Sequence, residues 1–302
     1  MNIRDLTYLV SLIENQHFGK AAEACFVSQP ALSMQIQKLE KVLGIKLLER
    51  TNKTLLFTDE GINIAERARH ILNQVEEIYD FAKLAKKPYG SALKIGIFPT
   101  LAPYFLPLII PSLAKKYPDL SLYLIEEQTQ NLIEKLKKGK LDAAFLALPL
   151  FENSFKTVPL FEEEFLLATP RNHAFSRLKI IKQSNLDNKE LMLLEEGHCM
   201  REQALLLCQK MKATETQHFR ATSIETLRHM VAAGIGMTLM PQLACDNNKN
   251  ISYIPFSAPK PTRSICLTWR DTTAKHSLFK EIASYVKNIL RNQKKINIFP
   301  EN

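Results

Sequence analysis

Two cysteines nine positions apart, Cys199 and Cys208, mark the stretch of this chain richest in groups that could do chemistry. Residues 191–208 run as an apolar segment ending at Leu194, then an acidic turn through Glu195, Glu196 and Gly197, then a helical pattern. Cys199 falls at or before the first turn of that helix. The helix dipole, His198 and Arg201 are all expected to favour its thiolate, the reactive form of cysteine. Oxidation at sulfur is therefore the chemistry open to it. Cys208 follows Leu205, Leu206 and Leu207 and reads as buried.

The spacing constrains what the pair can do together. One helix across both residues sets them ~13 Å apart on opposite faces, at about 1.5 Å per residue. A disulfide needs Cα atoms within about 7 Å, so the two cannot be bridged while the helix is intact. Oxidation at Cys199 would have to precede local unwinding, and a bond would then lock a second conformation that thiol reduction releases. Two unrelated cysteines, one capping a helix and one filling a core, satisfy the same pattern, and the residues alone do not choose. A metal site of His198, Cys199, Cys208 and His218 fails on spacing, because close ligand pairs of the zinc type do not recur. No metal and no other cofactor is expected. Cys25, Cys245 and Cys266 stand in apolar or loop contexts and read as structural.

The elements that must position these groups can be read along the chain. A length of 302 residues suits two or more compact units, and 46% hydrophobic with 24% charged residues is ordinary for a globular protein. The start lacks a long apolar core after a basic end, and the apolar run at 104–114 is short and broken by Pro107 and Pro111. A cytoplasmic protein with no membrane partner is expected, and five cysteines in a reducing compartment argue against a structural disulfide framework. The net charge of +9 suits nucleic acid only loosely. Residues 1–60 hold seven bases (Arg4, Lys20, Lys38, Lys41, Lys46, Arg50, Lys53) and seven acids (Asp5, Glu14, Glu23, Glu40, Glu49, Asp59, Glu60). The surplus lies downstream, partly in the tail at 287–295, so charge does not single out the N-terminus.

Pattern does. Residues 5–14 and 18–25 read as helices, 26–27 as a tight turn, and Ser28 as the N-cap of a third helix with Pro30 in its first turn. Leu32, Ile36, Leu39 and Leu43 make its buried stripe and Gly44 stops it. Two short strands at 47–50 and 53–57 follow around Thr51 and Asn52, and Thr58 caps a long helix to about residue 85. Its seam of Ile62, Ala65, Leu72, Val75, Tyr79 and Ala82 is approximately heptad and calls for a partner helix. Beyond a linker at 86–91, strands at 93–97, 120–126 and 141–146 alternate with helices at 105–117 and 132–138, the rhythm of a mostly parallel sheet. Two strands are expected near 157–169, a cap at Thr222 for a helix after it, a strand at 265–269 and a closing helix at 277–290.

The second and third helices have the build of a helix-turn-helix, whose second helix enters the major groove. Ser28, Gln29, Pro30, Ser33 and Gln37 are its candidate base-reading positions, and Gln pairs well with adenine. Ser28, Lys38, Arg50 and Lys53 are candidate phosphate contacts. A helical hairpin with a polar outer face has the same periodicity.

Longer motifs add a resemblance. Phe18-Gly-Lys-Ala-Ala-Glu23, Val27-Ser-Gln-Pro-Ala-Leu-Ser-Met-Gln-Ile-Gln-Lys-Leu-Glu40, Leu43-Gly-Ile-Lys-Leu-Leu-Glu-Arg50 and Leu56-Phe-Thr-Asp-Glu-Gly61 resemble the signature of LysR-type transcription regulators. The resemblance implies an α/β chain. A winged helix-turn-helix at 1–58 and a linker helix and hinge at 59–90 would precede a two-lobed, periplasmic-binding-protein-like regulatory domain at 91–302. It implies a homodimer through the linker helix, often a tetramer, acting on double-stranded promoter DNA and RNA polymerase. Gly197-His-Cys-Met-Arg201, Cys208, the run from His218 to Gly234, Ile95-Gly-Ile-Phe-Pro-Thr100 and Glu127-Gln-Thr129 resemble the peroxide-sensing branch of that family. This implies that Cys199 is oxidised by hydrogen peroxide, that Cys208 resolves it, and that a thiol reductant such as glutaredoxin or thioredoxin resets the pair. It further implies a peroxide pocket of Thr100, Thr129, His198, His218 and Arg263, in a regulator and not an enzyme. A regulator of this family answering a small organic effector between its lobes is the alternative. A thiol peroxidase with a DNA-binding-like appendage and a periplasmic binding protein are weaker ones. Met34 and Met200 depart from the pattern, and the Lys-rich tail is outside it.

Overall fold

The computed structural model describes residues 1–50, 55–86, 92–293 and 295–300, and leaves out the side chains of Arg50, Asp80, Phe81, 83–86 and His218. Lys53, the turn at 51–52 and the linker residues 87–91 lie outside the described residues. The chain forms two compact units, Met1–Ala85 and Lys86–Asn302.

In the first unit, α1 (Ile3–Asn15), α2 (Phe18–Ala24) and α3 (Gln29–Leu43) pack Leu9, Leu12, Ala21, Ala22, Leu32, Ile36 and Leu39 into one core. Asn2 and Asp5 form a reciprocal capping box at the start of α1. Gln35 then donates from α3 to the Asp5 carboxylate at 2.5 Å, fixing how α3 lies on α1. Ser28 accepts from the Ala31 N–H, Pro30 sits in the first turn, and Gly44 ends α3 at φ +71°. The strands β1 (Leu48–Arg50) and β2 (Leu55–Phe57) pair antiparallel as a wing. Thr58 caps α4 (Asp59–Lys86) through the Gly61 N–H at 3.0 Å. Gly61 is required there, since a Cβ would stand 2.0 Å from the Leu47 carbonyl oxygen. Along α4, Ala65 and Ala68 are buried, whereas Ile62, Ile71, Ile78 and Tyr79 are exposed. Of the expected seam, Ile62, Tyr79 and Ala82 are exposed, Leu72 and Val75 half-buried and Ala65 buried.

The second unit begins with β3 (Ala92–Ile97), α5 (Ala102–Lys116), β4 (Ser121–Glu126), α6 (Thr129–Lys137), β5 (Ala143–Ala147) and β6 (Phe155–Pro170). It continues with β7 (Glu190–Leu194), α7 (Cys199–Met211), β8 (Thr214–Ala221), α8 (Ile224–Ala232), β9 (Thr238–Pro241), β10 (Ile251–Pro255), β11 (Thr262–Arg270), α9 (His276–Leu290) and β12 (Asn297–Ile298). The first lobe has parallel β5-β3-β4 joined through antiparallel β11 to the first part of β6. The second lobe takes the end of β6 with β9 and β10, and a parallel β7–β8 pair. Where two strands were expected near 157–169 there is one, sixteen residues long. A register shift between Ile265 and Cys266, opposite 159–161, absorbs Pro159, which cannot donate to a ladder. One strand therefore serves both lobes. The helix cap expected at Thr222 is one residue on: Ser223 accepts from the Thr226 N–H.

Candidate functional site

The site forms where the loop into α6 meets the turn into α7. β7 carries the chain to residues 195–198, and Gly197 adopts φ +90°. A Cβ on Gly197 would stand 2.5 Å from the Gln128 side chain. Glycine is favoured here by the left-handed backbone, while the Gln128 amide, the free end of a flexible side chain, would swing aside from a Cβ. His198 occupies the N-cap position of α7 without a side-chain cap, and Cys199 is the first helical residue, half-buried.

Burial pushes the Cys199 thiol above its ordinary range, and this outweighs the Thr129 hydroxyl, the Arg263 charge and the Met200 backbone, which pull it down. The resting sulfur is thus a thiol, not the thiolate expected from the sequence. Burial also pushes His198 below its usual value, against the pull of Glu195 and the Thr222 backbone, so it faces neutral pH as an uncharged imidazole. Arg201 does not serve the sulfur. Its guanidinium forks onto Glu215 at 2.6 and 2.8 Å and donates to the Leu194 carbonyl at 2.8 Å. Glu215 also takes Arg220 at 3.0 Å. This pins the first turn of α7 to β7 and β8.

Two buried polar atoms stand out. The His198 Nδ1 has no hydrogen-bond partner among the described residues, and the Thr129 hydroxyl has none beyond the Cys199 sulfur it faces. A buried polar group left unpaired costs about 1–3 kcal/mol. Such a pair suits a small polar molecule carrying both donors and acceptors.

Arg263 and Thr100 form a second layer. Both are buried, on β11 and on the turn after β3. Arg263 donates to the Thr100 hydroxyl at 3.1 Å and to its carbonyl at 3.2 Å. On its other side it pairs with Glu163 on β6, Nε to carboxylate at 2.7 Å. Arg263 thus lies behind Thr100, with its charge felt at Cys199. The structure brings together Cys199, Thr129, His198, Arg263 and, through Arg263, Thr100. His218 lies on β8, its side chain outside the described residues. Sequence reasoning missed Glu163, Glu215 and Gln128, which are unremarkable by type.

At the other end of α7, Cys208 is 3% exposed and packs with Met192, Met200, Ala204 and Met211 in the core of the second lobe. Burial pushes its thiol up to about 11. All five cysteines are free. One unbroken helix spans Cys199 and Cys208, which sets them on opposite faces.

In the first unit, Ser28, Gln29, Pro30, Gln37 and Lys38 are exposed on α3 and Ser33 is half-buried. The Ser28 hydroxyl already serves as the cap. Met34 is 66% exposed among them, an apolar tip on a polar face.

Residues 3–62 match the family described as bacterial regulatory helix-turn-helix protein, lysR family, and residues 87–291 match the LysR substrate binding domain. The chain is 44% identical over 290 residues to the hydrogen peroxide-inducible genes activator of Dickeya chrysanthemi, covering 95% of each. A solved full-length OxyR variant from Pseudomonas aeruginosa matches with a TM-score of 0.79 at 36% identity, covering 100% of this chain and 99% of that one. Structures of an oxidized and a reduced form of OxyR each match with a TM-score of 0.63, at 40% and 39% identity, covering 68% of this chain and 98% of theirs.

Proposed function

The chain belongs to the LysR family of bacterial helix-turn-helix regulators, and we propose that it is a peroxide-responsive transcription regulator whose sensing thiol is Cys199. One observation carries the assignment of the sensor. A half-buried thiol at the head of α7 stands beside the buried Thr129 hydroxyl and the unpartnered His198 Nδ1, groups that suit a small polar molecule.

Hydrogen peroxide fits those atoms. The Thr129 hydroxyl and the neutral His198 ring orient it, and the Thr100 hydroxyl, which accepts from Arg263, keeps its proton to donate. Cys199 loses its proton, its Sγ attacks one peroxide oxygen, and the O–O bond breaks. The departing hydroxide, favoured by the nearby guanidinium, takes up a proton as water. Cys199 is left as sulfenic acid, oxidised by two electrons. The Cys208 thiol then attacks the Cys199 sulfur, a second water leaves, and a disulfide remains. In sum, one peroxide and two thiols give one disulfide and two waters. A protein dithiol of the glutaredoxin or thioredoxin class returns both electrons. The chain is consumed once per oxidation, as a switch and not as an enzyme.

The second step requires α7 to unwind, because its intact form keeps the sulfurs apart. The unwound state is the second conformation that the switch reports. The open seam of α4 suits pairing with a second copy, and two such pairs form a tetramer. Gln29, Pro30, Ser33 and Gln37 of α3 read base edges, with Ser28, Lys38, Arg50 and Lys53 as phosphate contacts. Oxidation changes how these units meet promoter DNA and RNA polymerase in the cytoplasm.

Footprinting of the full chain on its own promoter region, before and after peroxide, tests this reading. A footprint that changes with peroxide and reverts with dithiothreitol is expected. An identical footprint under both conditions contradicts it.

A further inference from the structure

Arg263 is held from several sides. Its guanidinium has no exposed surface, nor has its partner Glu163. The two residues are direct cross-strand partners on β11 and β6. The rings of Phe98 and Phe165 lie 5.5 and 5.9 Å from the guanidinium. Glu163 uses one carboxylate oxygen for Arg263 and the other to accept the Leu243 N–H at 3.1 Å. The carboxylate is thereby fixed by backbone on one side and fixes the guanidinium on the other.

The consequence for Thr100 is one of hydrogen-bond direction. A guanidinium only donates, so the Thr100 hydroxyl accepts from Arg263 at 3.1 Å and keeps its own proton to donate elsewhere. The consequence for Cys199 is one of charge. The groups that act on the sulfur are the Arg263 charge from β11, the Thr129 hydroxyl from α6, Glu202 and the Met200 backbone from α7. The adjacent His198 is uncharged at neutral pH. Arg263 is the only cation in that set, and a buried anion bonded to it weakens its field.

We propose that Glu163 is a positioning residue for the oxidation of Cys199: it fixes Arg263 behind Thr100 and offsets the guanidinium charge that the sulfur feels. It rests on the reading of Cys199 as the peroxide-sensing thiol. Glu163 thereby adds to the burial that keeps the resting sulfur a thiol, and leaves the Thr100 proton free for the incoming oxidant.

The test is the pH profile of Cys199 alkylation by iodoacetamide in the full chain, read peptide by peptide by mass spectrometry. Glu163→Gln keeps the shape and removes the anion, so the profile should move to lower pH by roughly half a unit to one unit. Because this variant leaves a buried guanidinium without its counter-charge, the double variant Glu163→Gln/Arg263→Gln accompanies it as an uncharged pair. There the profile should move above that of the unmodified chain. A profile unmoved in both variants, or moved upward by Glu163→Gln, overturns the proposal. Loss of packing alone would expose Cys208 as well, so Cys208 alkylation in the same samples must stay slow. A parallel arm traps Cys199 sulfenate with dimedone after peroxide. If the unmodified chain gives none, the peroxide reading fails, while the alkylation profiles still decide the role of Glu163.

Discussion

The two ends of α7 differ in nearly every respect that matters to a thiol. At the Cys199 end the sulfur is half-buried, lies within the field of Arg263 and shares its surroundings with the Thr129 hydroxyl and the unpartnered His198 Nδ1. At the Cys208 end the sulfur is sealed among methionines and held far up its titration range. The first end is prepared for chemistry in the resting fold. The second is prepared only for the fold that follows. Six of the eight methionines, Met192, Met200, Met211, Met230, Met237 and Met240, pack into or against the core that buries Cys208. Unbranched, flexible side chains fill irregular space and tolerate rearrangement, which suits a core that must release one member.

This contrast can be broken most completely at the first end. Cys199→Ser should abolish both disulfide formation and peroxide-dependent transcription from the target promoter, measured in vitro with RNA polymerase. Retained activation would place the sensor elsewhere. Cys208→Ser should leave the first step intact and remove the second. Sulfenate should then accumulate at Cys199, trapped by dimedone, with no internal disulfide; an unchanged disulfide would mean another partner resolves it.

A smaller effect concerns stability. Cys208 titrates at about 11 in the fold against 9.0 ordinarily. A thiol raised on folding contributes stability that is full below pH 9 and is lost as pH rises through 11. The stability advantage of the unmodified chain over Cys208→Ala should therefore shrink by about 2 kcal/mol between pH 8 and pH 11, in denaturant melts. A constant difference would show that Cys208 is not sealed. The smallest effect is at Thr129. Thr129→Val removes a hydroxyl that lowers the Cys199 thiol and that would orient peroxide. Oxidation of Cys199 at neutral pH should slow about five- to tenfold, the worth of one hydrogen bond. An unaltered rate would remove Thr129 from the site.

The same contrast shows what residue order can and cannot reveal. The caps, stops and stripes of α1, α3 and α4 are local, so Ser28, Gly44 and Thr58 announce them. The helix across Cys199 and Cys208 is equally local, and its length alone forbids the bond. Glu163 is different. It stands in a run of three glutamates, and only the strand register turns its side chain inward while Glu162 and Glu164 stay half-exposed. That register is not visible where two strands are expected near 157–169 and the chain in fact runs on as one. Arg201 misled for a related reason. It is two residues from Cys199, but positions i and i+2 of a helix point apart, and the side chain serves Glu215 on β8. The direction of the Cys199 titration followed the same pattern, because neighbours in sequence suggested a thiolate and burial in the fold keeps a thiol.

The most direct test is a peptide-level disulfide map of the full chain after one equivalent of hydrogen peroxide, with free thiols blocked at quench. A single internal bond between Cys199 and Cys208, reversed by dithiol, is the predicted result. Cys199 oxidised while Cys208 remains a free thiol, or a bond through Cys25, Cys245 or Cys266, would contradict it.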